Sequence, residues 1–181
     1  MDRCEVCSFV YGDHDVPEVA TELGTLGSRY ADRLRAGVDD AQWDRVLRAR
    51  PEPGVWSGLE YACHVRDVLL AQRERVFLTL VEDCPSFAPI YPDQRVDLAG
   101  YESDDRTRVA VELEVASNLI SRAFAGLDAA QWRRRCMYNY PALSQRTVLW
   151  LAQHTLHEGE HHLLDICTVI SKSRPGNGEG C

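Results

Sequence analysis

The stretch "QHTLHEGEHHLLDI", residues 153–166, carries four of the six histidines of the chain. Helical residues turn by about 100° each, so His157 and His161 lie one turn apart on one face, and His154 joins them. An i, i+4 pair of imidazoles is the spacing with which a helix gives two ligands to one metal ion. The stretch therefore predicts a helix and raises the question of a metal site.

An apolar seam with alternating three- and four-residue spacing runs along the same helix. It consists of Leu149, Ala152, Leu156, Gly159, Leu163, Ile166 and Ile170. Such a seam is typical of a helix in a bundle, and His154, His157 and His161 lie nearly opposite it. Two interpretations stay open, a solvated histidine face and a metal site in a cleft.

The remaining periodicity is also helical. One helix is expected after Pro17, a second over residues 57–82, a third after "SDD", where Ser103 can cap it, and a fourth over residues 144–170. We find no run of comparable length that alternates apolar and polar residues. The fold class expected is therefore all-α, a four-helix bundle.

An internal repeat indicates how the helices are arranged. "GVDDAQW" at residues 37–43 recurs as "GLDAAQW" at residues 126–132, which predicts two pseudo-repeated helical hairpins. His64 follows Trp43 by 21 residues, and His154 follows Trp132 by 22. Histidines of the two hairpins can therefore meet in the bundle, which makes His64 the candidate for a third ligand.

The length of 181 residues is that of one domain. We expect an N-terminal extension with a C-x-x-C motif over residues 1–16, the bundle over residues 17–170 and a flexible tail over residues 171–181. Residues 84–100 contain three prolines, which predicts a long loop that covers a site.

Composition narrows the class of function. A formal net charge of -8 argues against a nucleic-acid partner, which needs clustered Lys and Arg. The chain shows no signal peptide and no apolar run of the roughly 20 residues that a membrane helix needs. We therefore expect a cytoplasmic protein with no membrane partner and with free thiols.

Two segments resemble the DinB-like proteins. "PGVWSGLEYACHVRDV", residues 53–68, is similar to the opening of their second helix, and "HTLHEGEHH", residues 154–162, to the H-x-x-x-H of their fourth. The resemblance implies a four-helix bundle, often a homodimer, with three histidines that bind a divalent metal. Imidazoles are the usual ligands of zinc or nickel. The resemblance carries the ligand role to His64, His157 and His161.

A second pair of candidate ligands lies one residue further along the helix. Glu158 and His162 have the same i, i+4 spacing, and some relatives carry glutamate in place of one histidine; His157 with His161 is preferred because it keeps two imidazoles. Glu60, Asp67, Glu158 and Asp165 are candidates for carboxylates that orient the ligand imidazoles.

Catalytic candidates come from "YNYP", residues 138–141, and from the fourth helix. Tyr138, Asn139 or Tyr140 could reach an oxyanion, and Glu158 could act as a general base.

The N-terminal motif "CEVCSFVYGDH" places Cys4 and Cys7 at zinc-knuckle spacing, with His14 seven residues further on. The second ligand pair of a structural zinc site is missing from this stretch. A redox dithiol and no special role are the alternatives. A thiolate of this pair, or His154, could also cap the open position of the main metal site.

The function that the resemblance implies is activation of a low-molecular-weight thiol. Similar proteins include thiol S-transferases and a mycothiol-dependent isomerase. Lys172 is the only lysine among twenty basic residues, which fits a high-GC actinobacterial source and mycothiol as the thiol. The partners would be that thiol and a small electrophile. The alternatives are a non-catalytic metal- or thiol-stress-binding protein and a metal-assisted hydrolase.

Overall fold

The computed structural model describes residues 3–37, 40–140 and 142–173. Its helices are α1 (Val16–Arg35), α2 (Asp40–Arg48), α3 (Gly58–Val81), α4 (Pro92–Leu98), α5 (Arg106–Ala125) and α6 (Val148–Ser173). Two strands, β1 (Arg135–Tyr138) and β2 (Ser144–Thr147), form an antiparallel hairpin. None of the described helices is both long enough and apolar enough to cross a membrane.

Four long helices form the bundle. Helix α1 packs along α5, α3 packs against both α5 and α6, and α6 also contacts α1. Most of the periodic apolar residues predicted for these helices are buried between them, among them Tyr30, Leu113 and Leu156, whereas Leu149 is half-buried. The predicted all-α four-helix bundle is confirmed.

Side-chain caps define where the helices begin. Asp15 with Glu18 and Ser57 with Glu60 form capping boxes at the starts of α1 and α3. Helix α5 begins later than predicted, because Asp105 rather than Ser103 accepts the hydrogen bond from a backbone N–H of the first turn.

The start of α6 also differs from the prediction. Residues 144–147, expected to be helical, form β2, in which Thr147 pairs with Arg135. The Thr147 hydroxyl accepts a hydrogen bond from the Trp150 backbone N–H at 3.1 Å, so Thr147 caps the helix that follows. The hairpin escaped detection because its strands have only four residues each, and β2 has no regular alternation of burial.

The segment of residues 84–100 is not wholly a loop. Pro92 occupies the first turn of α4, a position that proline tolerates. Before it, Met137 of β1 donates its backbone N–H to the Pro85 carbonyl at 2.8 Å. This segment is therefore attached to both the hairpin and α3, where Arg95 pairs with Asp67.

The two copies of the internal repeat have different conformations. Trp43 lies within α2, whereas Trp132 lies in a 3-10 turn whose N–H groups hydrogen-bond to Asp128. Both indoles are buried. The predicted tail begins inside α6, which extends to Ser173, and residues 174–181 lie outside the described residues.

Gly27 sets the close approach of α1 to α5. A Cβ at this position would lie 2.5 Å from the Leu113 carbonyl oxygen and 2.7 Å from Cα of Glu114. The Gly27 N–H donates to the Ser117 hydroxyl at 3.0 Å, which holds the two backbones together.

We expect Gly27→Ala to lower the free energy of unfolding by about 1–3 kcal/mol, because two backbones must separate to admit the methyl group. The gain in helix propensity, about 1 kcal/mol, is too small to offset this strain. Denaturant unfolding measures the difference. Gly24→Ala is the matched control, since its Cβ would meet only the Ser121 side chain; an equal loss in both variants would contradict the close-packing account.

Candidate metal centre

The rotation of α6 about its axis is set by its contact with α1. A Cβ on Gly159 would lie 2.2 Å from Cδ2 of Leu26, and the Tyr30 hydroxyl donates to the Gly159 carbonyl at 2.7 Å. Because Gly159 faces α1, a turn of about 100° per residue directs Glu158 and His162 toward α3. His154, His157 and His161 point away from α1, as the seam predicts.

The predicted ligand set is divided between two groups. His64 lies with Glu158 and His162, and their ligand atoms are all within 4.8 Å of one another. His157 and His161 instead lie with Cys4 and Cys7, at the same mutual limit of 4.8 Å. Among the described residues, His64, His157 and His161 do not form such a group. The pair Glu158 and His162 is rotated by about 100° from the pair His157 and His161, and only the former faces α3.

The group of His64, Glu158 and His162, called the main cluster from here on, lies between α3 and α6. The rings of His64 and His162 are perpendicular, with centroids 5.0 Å apart. Trp56 packs on His64 and Tyr61 on His162, at 5.1 and 5.3 Å between centroids. Aromatic side chains therefore shield one side of the main cluster.

His64 is held as a neutral imidazole. Burial and the nearby His162 lower its pKa to about 4. Its Nδ1 is buried and has no hydrogen-bond partner among the described residues. A neutral imidazole with an unsatisfied nitrogen is suited to bind a metal ion.

His162, in contrast to His64, favours the protonated form. Burial opposes its protonation, but a hydrogen bond to Asp165 and the negative charge of Glu158 raise its pKa to about 9. Nδ1 lies 2.9 Å from the Asp165 carboxylate, and Nε2 lies 3.8 Å from that of Glu158. Burial likewise opposes ionisation of Glu158, yet His162 and His154 lower the pKa of this carboxyl. The main cluster thus pairs one anionic and two imidazole donors.

Of the carboxylates predicted to orient ligands, Asp165 contacts a ring of the main cluster. Glu158 belongs to the cluster itself. Glu60 accepts from the Ser57 backbone N–H and pairs with Arg50. Asp67 is engaged by Arg66, Arg95 and Tyr101. Glu60 and Asp67 therefore stabilise α3 and its contacts with neighbouring segments.

The N-terminal segment covers the histidines that point away from α1. The Tyr11 hydroxyl lies 2.9 Å from Nδ1 of His154 and 3.2 Å from Nδ1 of His157. Phe9 packs against His157, and His154 is 5% exposed. These histidines are thus not a solvated helix face. Sequence reasoning missed Tyr11, whose only signal was an aromatic position beside the cysteine motif.

The group of Cys4, Cys7, His157 and His161 is called the cysteine cluster from here on. Both cysteines are free thiols. Burial opposes ionisation of Cys4, but hydrogen bonds from the backbone of Cys7 and Val6 lower the pKa of its thiol to about 7. Among the described residues, neither thiol joins the main cluster, so the idea that they cap it is not supported by the geometry.

Other predicted site residues lie apart from both clusters. His14 pairs with Glu22 at 2.9 Å and stacks on Phe9. Asn139 donates to the Phe87 carbonyl at 2.9 Å, and Tyr140 is 65% exposed. These two catalytic candidates are therefore a structural residue and a surface residue.

The neighbouring Tyr138 is the residue of "YNYP" that faces the histidines. Its ring lies 5.1 Å from that of His154, between centroids, and its hydroxyl contacts Gln72 and Arg75. Alternation along β1 turns Tyr138 inward, whereas Tyr140, which follows the strand, is exposed.

Comparison with known proteins agrees with this architecture. The model of the DinB superfamily matches residues 27–166, which contain α3 and α5, most of α6 and the second half of the bundle's first helix from residue 27 onward. The chain belongs to the DinB superfamily. No curated protein matches it in sequence.

A solved DinB-like structure has the same fold. The chain superposes on YfiT from Bacillus subtilis, described as a probable metal-dependent hydrolase with an unusual four-helix bundle topology. The TM-score is 0.72, the identity is 17%, and the match covers 85% of each chain. All three residues of the main cluster lie in the DinB region, whereas Cys4 and Cys7 precede it.

In metal-free protein we expect the His162 imidazole to titrate near pH 9, because the Asp165 carboxylate accepts from its Nδ1–H and the Glu158 carboxylate lies 3.8 Å from its Nε2. Since this pKa exceeds the ordinary 6.5, the interaction stabilises the fold fully below pH 6.5 and is lost as the pH rises through about 9. Histidine NMR titration measures the midpoint. Asp165→Asn should move it toward 6.5, and a midpoint at or below 6.5 in the unsubstituted chain would contradict this account.

Proposed function

We propose that this DinB protein is a divalent-metal-dependent enzyme whose metal is held by His64, Glu158 and His162. Two imidazoles and one carboxylate match the donor set of known catalytic zinc sites. Zinc is the metal expected first, with nickel as the alternative. The unsatisfied Nδ1 of His64 and the carboxylate behind His162 both fit this role.

The observation that carries the proposal is the number of ligands. In the described part of the chain, no fourth residue joins the group of His64, Glu158 and His162 within the 4.8 Å limit. Cys4, Cys7 and His154, the candidates for a capping ligand, belong to other groups. A three-ligand site leaves a coordination position for a small molecule, which favours turnover over a purely structural metal.

Thiol activation is the reaction class that we favour. A divalent ion with a free position supplies Lewis acidity and strongly favours the thiolate form of a coordinated thiol. This chemistry does not need a separate general base. The chain's own residues orient the site, since Asp165 holds His162 and Trp56 shields His64 from water. We propose mycothiol as the thiol and a small electrophile as its acceptor, in S-transfer or isomerisation.

Metal-assisted hydrolysis is the second candidate, and the likeness to YfiT favours it. It would need a general base to accept a proton from water. Glu158, the base considered from the sequence, is a ligand on the present proposal, and His154 is hydrogen-bonded to Tyr11. Neither residue is then free to act as a general base, so we favour thiol activation, which does not need one. A non-catalytic metal-binding protein is the third candidate.

We expect Glu158→Gln to lower metal affinity and thiol-dependent turnover by about 100-fold or more, because the site loses its anionic ligand. The measurements are metal analysis of the purified chain and mycothiol-dependent turnover on a panel of small electrophiles. Ester and amide substrates, tested without thiol, form the hydrolytic arm.

Glu160→Gln is the matched control, since Glu160 lies two residues away on α6 and pairs with Arg29 at the surface. That variant should keep both metal and turnover. Hydrolysis without thiol dependence would replace the first candidate by the second. Bound metal with neither activity would favour the binding protein. An unchanged number of metal ions per chain after Glu158→Gln combined with His64→Ala would overturn the ligand assignment.

A further inference from the structure

The N-terminal segment forms a tight turn that presents two thiols on one side. Arg3 and Val10 form an antiparallel bridge, and the Cys4 N–H donates to the Phe9 carbonyl at 2.8 Å. Ser8 adopts a left-handed conformation, φ 63°, which reverses the chain directly after Cys7. Backbone N–H groups point at the sulfurs, those of Val6 and Cys7 at Cys4 and that of Phe9 at Cys7. Such N–H···S contacts stabilise thiolates that bind a metal.

The two sulfurs meet two imidazoles of α6. Sγ of Cys4 lies 3.6 Å from Nδ1 of His161, and all four ligand atoms of the cysteine cluster lie within 4.8 Å of one another. Ligands of a tetrahedral zinc ion lie roughly 3.3–3.8 Å apart, given Zn–S near 2.3 Å and Zn–N near 2.0–2.1 Å. A small inward movement of the side chains is enough to reach that geometry.

The second nitrogen of each imidazole already has a neighbour. Nδ1 of His157 contacts the Tyr11 hydroxyl at 3.2 Å, while its Nε2 is buried without a hydrogen-bond partner among the described residues. Nε2 of His161 lies 3.7 Å from the Asp165 carboxylate, which leaves Nδ1 for the thiol side. Outer partners of this kind orient the imidazoles of metal sites.

We propose that Cys4, Cys7, His157 and His161 form a second, structural zinc site. Two thiolates and two imidazoles complete a tetrahedral shell with no open position, unlike the main cluster. The missing second pair of the N-terminal C-x-x-C motif is therefore supplied by α6, more than 140 residues later in the chain. The site attaches the N-terminal segment to α6 and so holds Tyr11 over His154 and His157.

Metal stoichiometry tests the proposal on the full-length chain, purified in reductant and loaded with zinc. We expect two zinc ions per chain in the unsubstituted protein and one in the double variant Cys4→Ser, Cys7→Ser. The double variant His64→Ala, Glu158→Gln should also keep one ion, held by the cysteine cluster. Because each pair of substitutions removes a different ion, failure of this proposal is separable from failure of the proposed function.

Cobalt substitution identifies the ligands directly. Cobalt loaded into the His64→Ala, Glu158→Gln protein should give thiolate-to-metal charge-transfer absorption, which the further substitutions Cys4→Ser and Cys7→Ser abolish. Cys84→Ser is the matched control, since Cys84 is a free thiol outside both clusters, and it should leave the absorption unchanged.

If the cysteine variants do not fold, thiol labelling of the unsubstituted protein still decides the question. Two thiols should become reactive only after a chelator removes the metal. One zinc ion per chain with no cobalt–thiolate absorption would overturn the proposal, and so would a Cys4–Cys7 disulfide that forms reversibly in zinc-loaded protein, which would indicate a redox dithiol.

Discussion

The contact of Gly159 with α1 determines which side chains of α6 face each of the two candidate metal sites. Only a residue without Cβ lets the Leu26 side chain lie against the α6 backbone, and the Tyr30 hydroxyl then bonds to the Gly159 carbonyl. This contact fixes the rotation of α6. Glu158 and His162 consequently face α3, while His157 and His161 face the N-terminal segment, so one helix serves two sites of different character.

Asp165 contacts one imidazole of each cluster. Its carboxylate is 2.9 Å from Nδ1 of His162 and 3.7 Å from Nε2 of His161. A single carboxylate therefore faces both adjacent imidazoles. On the two proposals above, it would orient one ligand of the catalytic metal and one ligand of the structural metal, so that ligand geometry in the two sites would be coupled through one side chain.

The N-terminal segment extends the DinB bundle with a separate layer. Without it, His157 would lie on an open helix face, as expected for a simple bundle, whereas Tyr138 of the hairpin also packs on His154 and Trp150. Tyr11 stacks on Trp150 and bonds to the two histidines, which converts this face into an interior. The main cluster lies inside the region that matches the superfamily, whereas the cysteine cluster joins that region to the segment that precedes it.

Much of the fold and part of the site could be predicted from sequence, because periodicity, caps and seam are local properties. The seam of α6 indicates that His157 and His161 point away from the bundle. The usual preference of zinc for imidazole nevertheless favours this pair over Glu158 and His162 as the predicted ligands. Glu158 and His162 differ from that pair by one residue, and spacing alone does not distinguish two registers about 100° apart.

The sequence by itself determined four amphipathic helices, the side of α6 that is buried and the residue types able to bind a metal. Only the tertiary structure decided which of those residues meet. His64 joins Glu158 and His162 because α3 and α6 pack side by side, and Cys4 joins His161 across 157 residues because the chain returns to cover α6. Contacts so distant in sequence depend on the packing of whole helices, which no local pattern encodes.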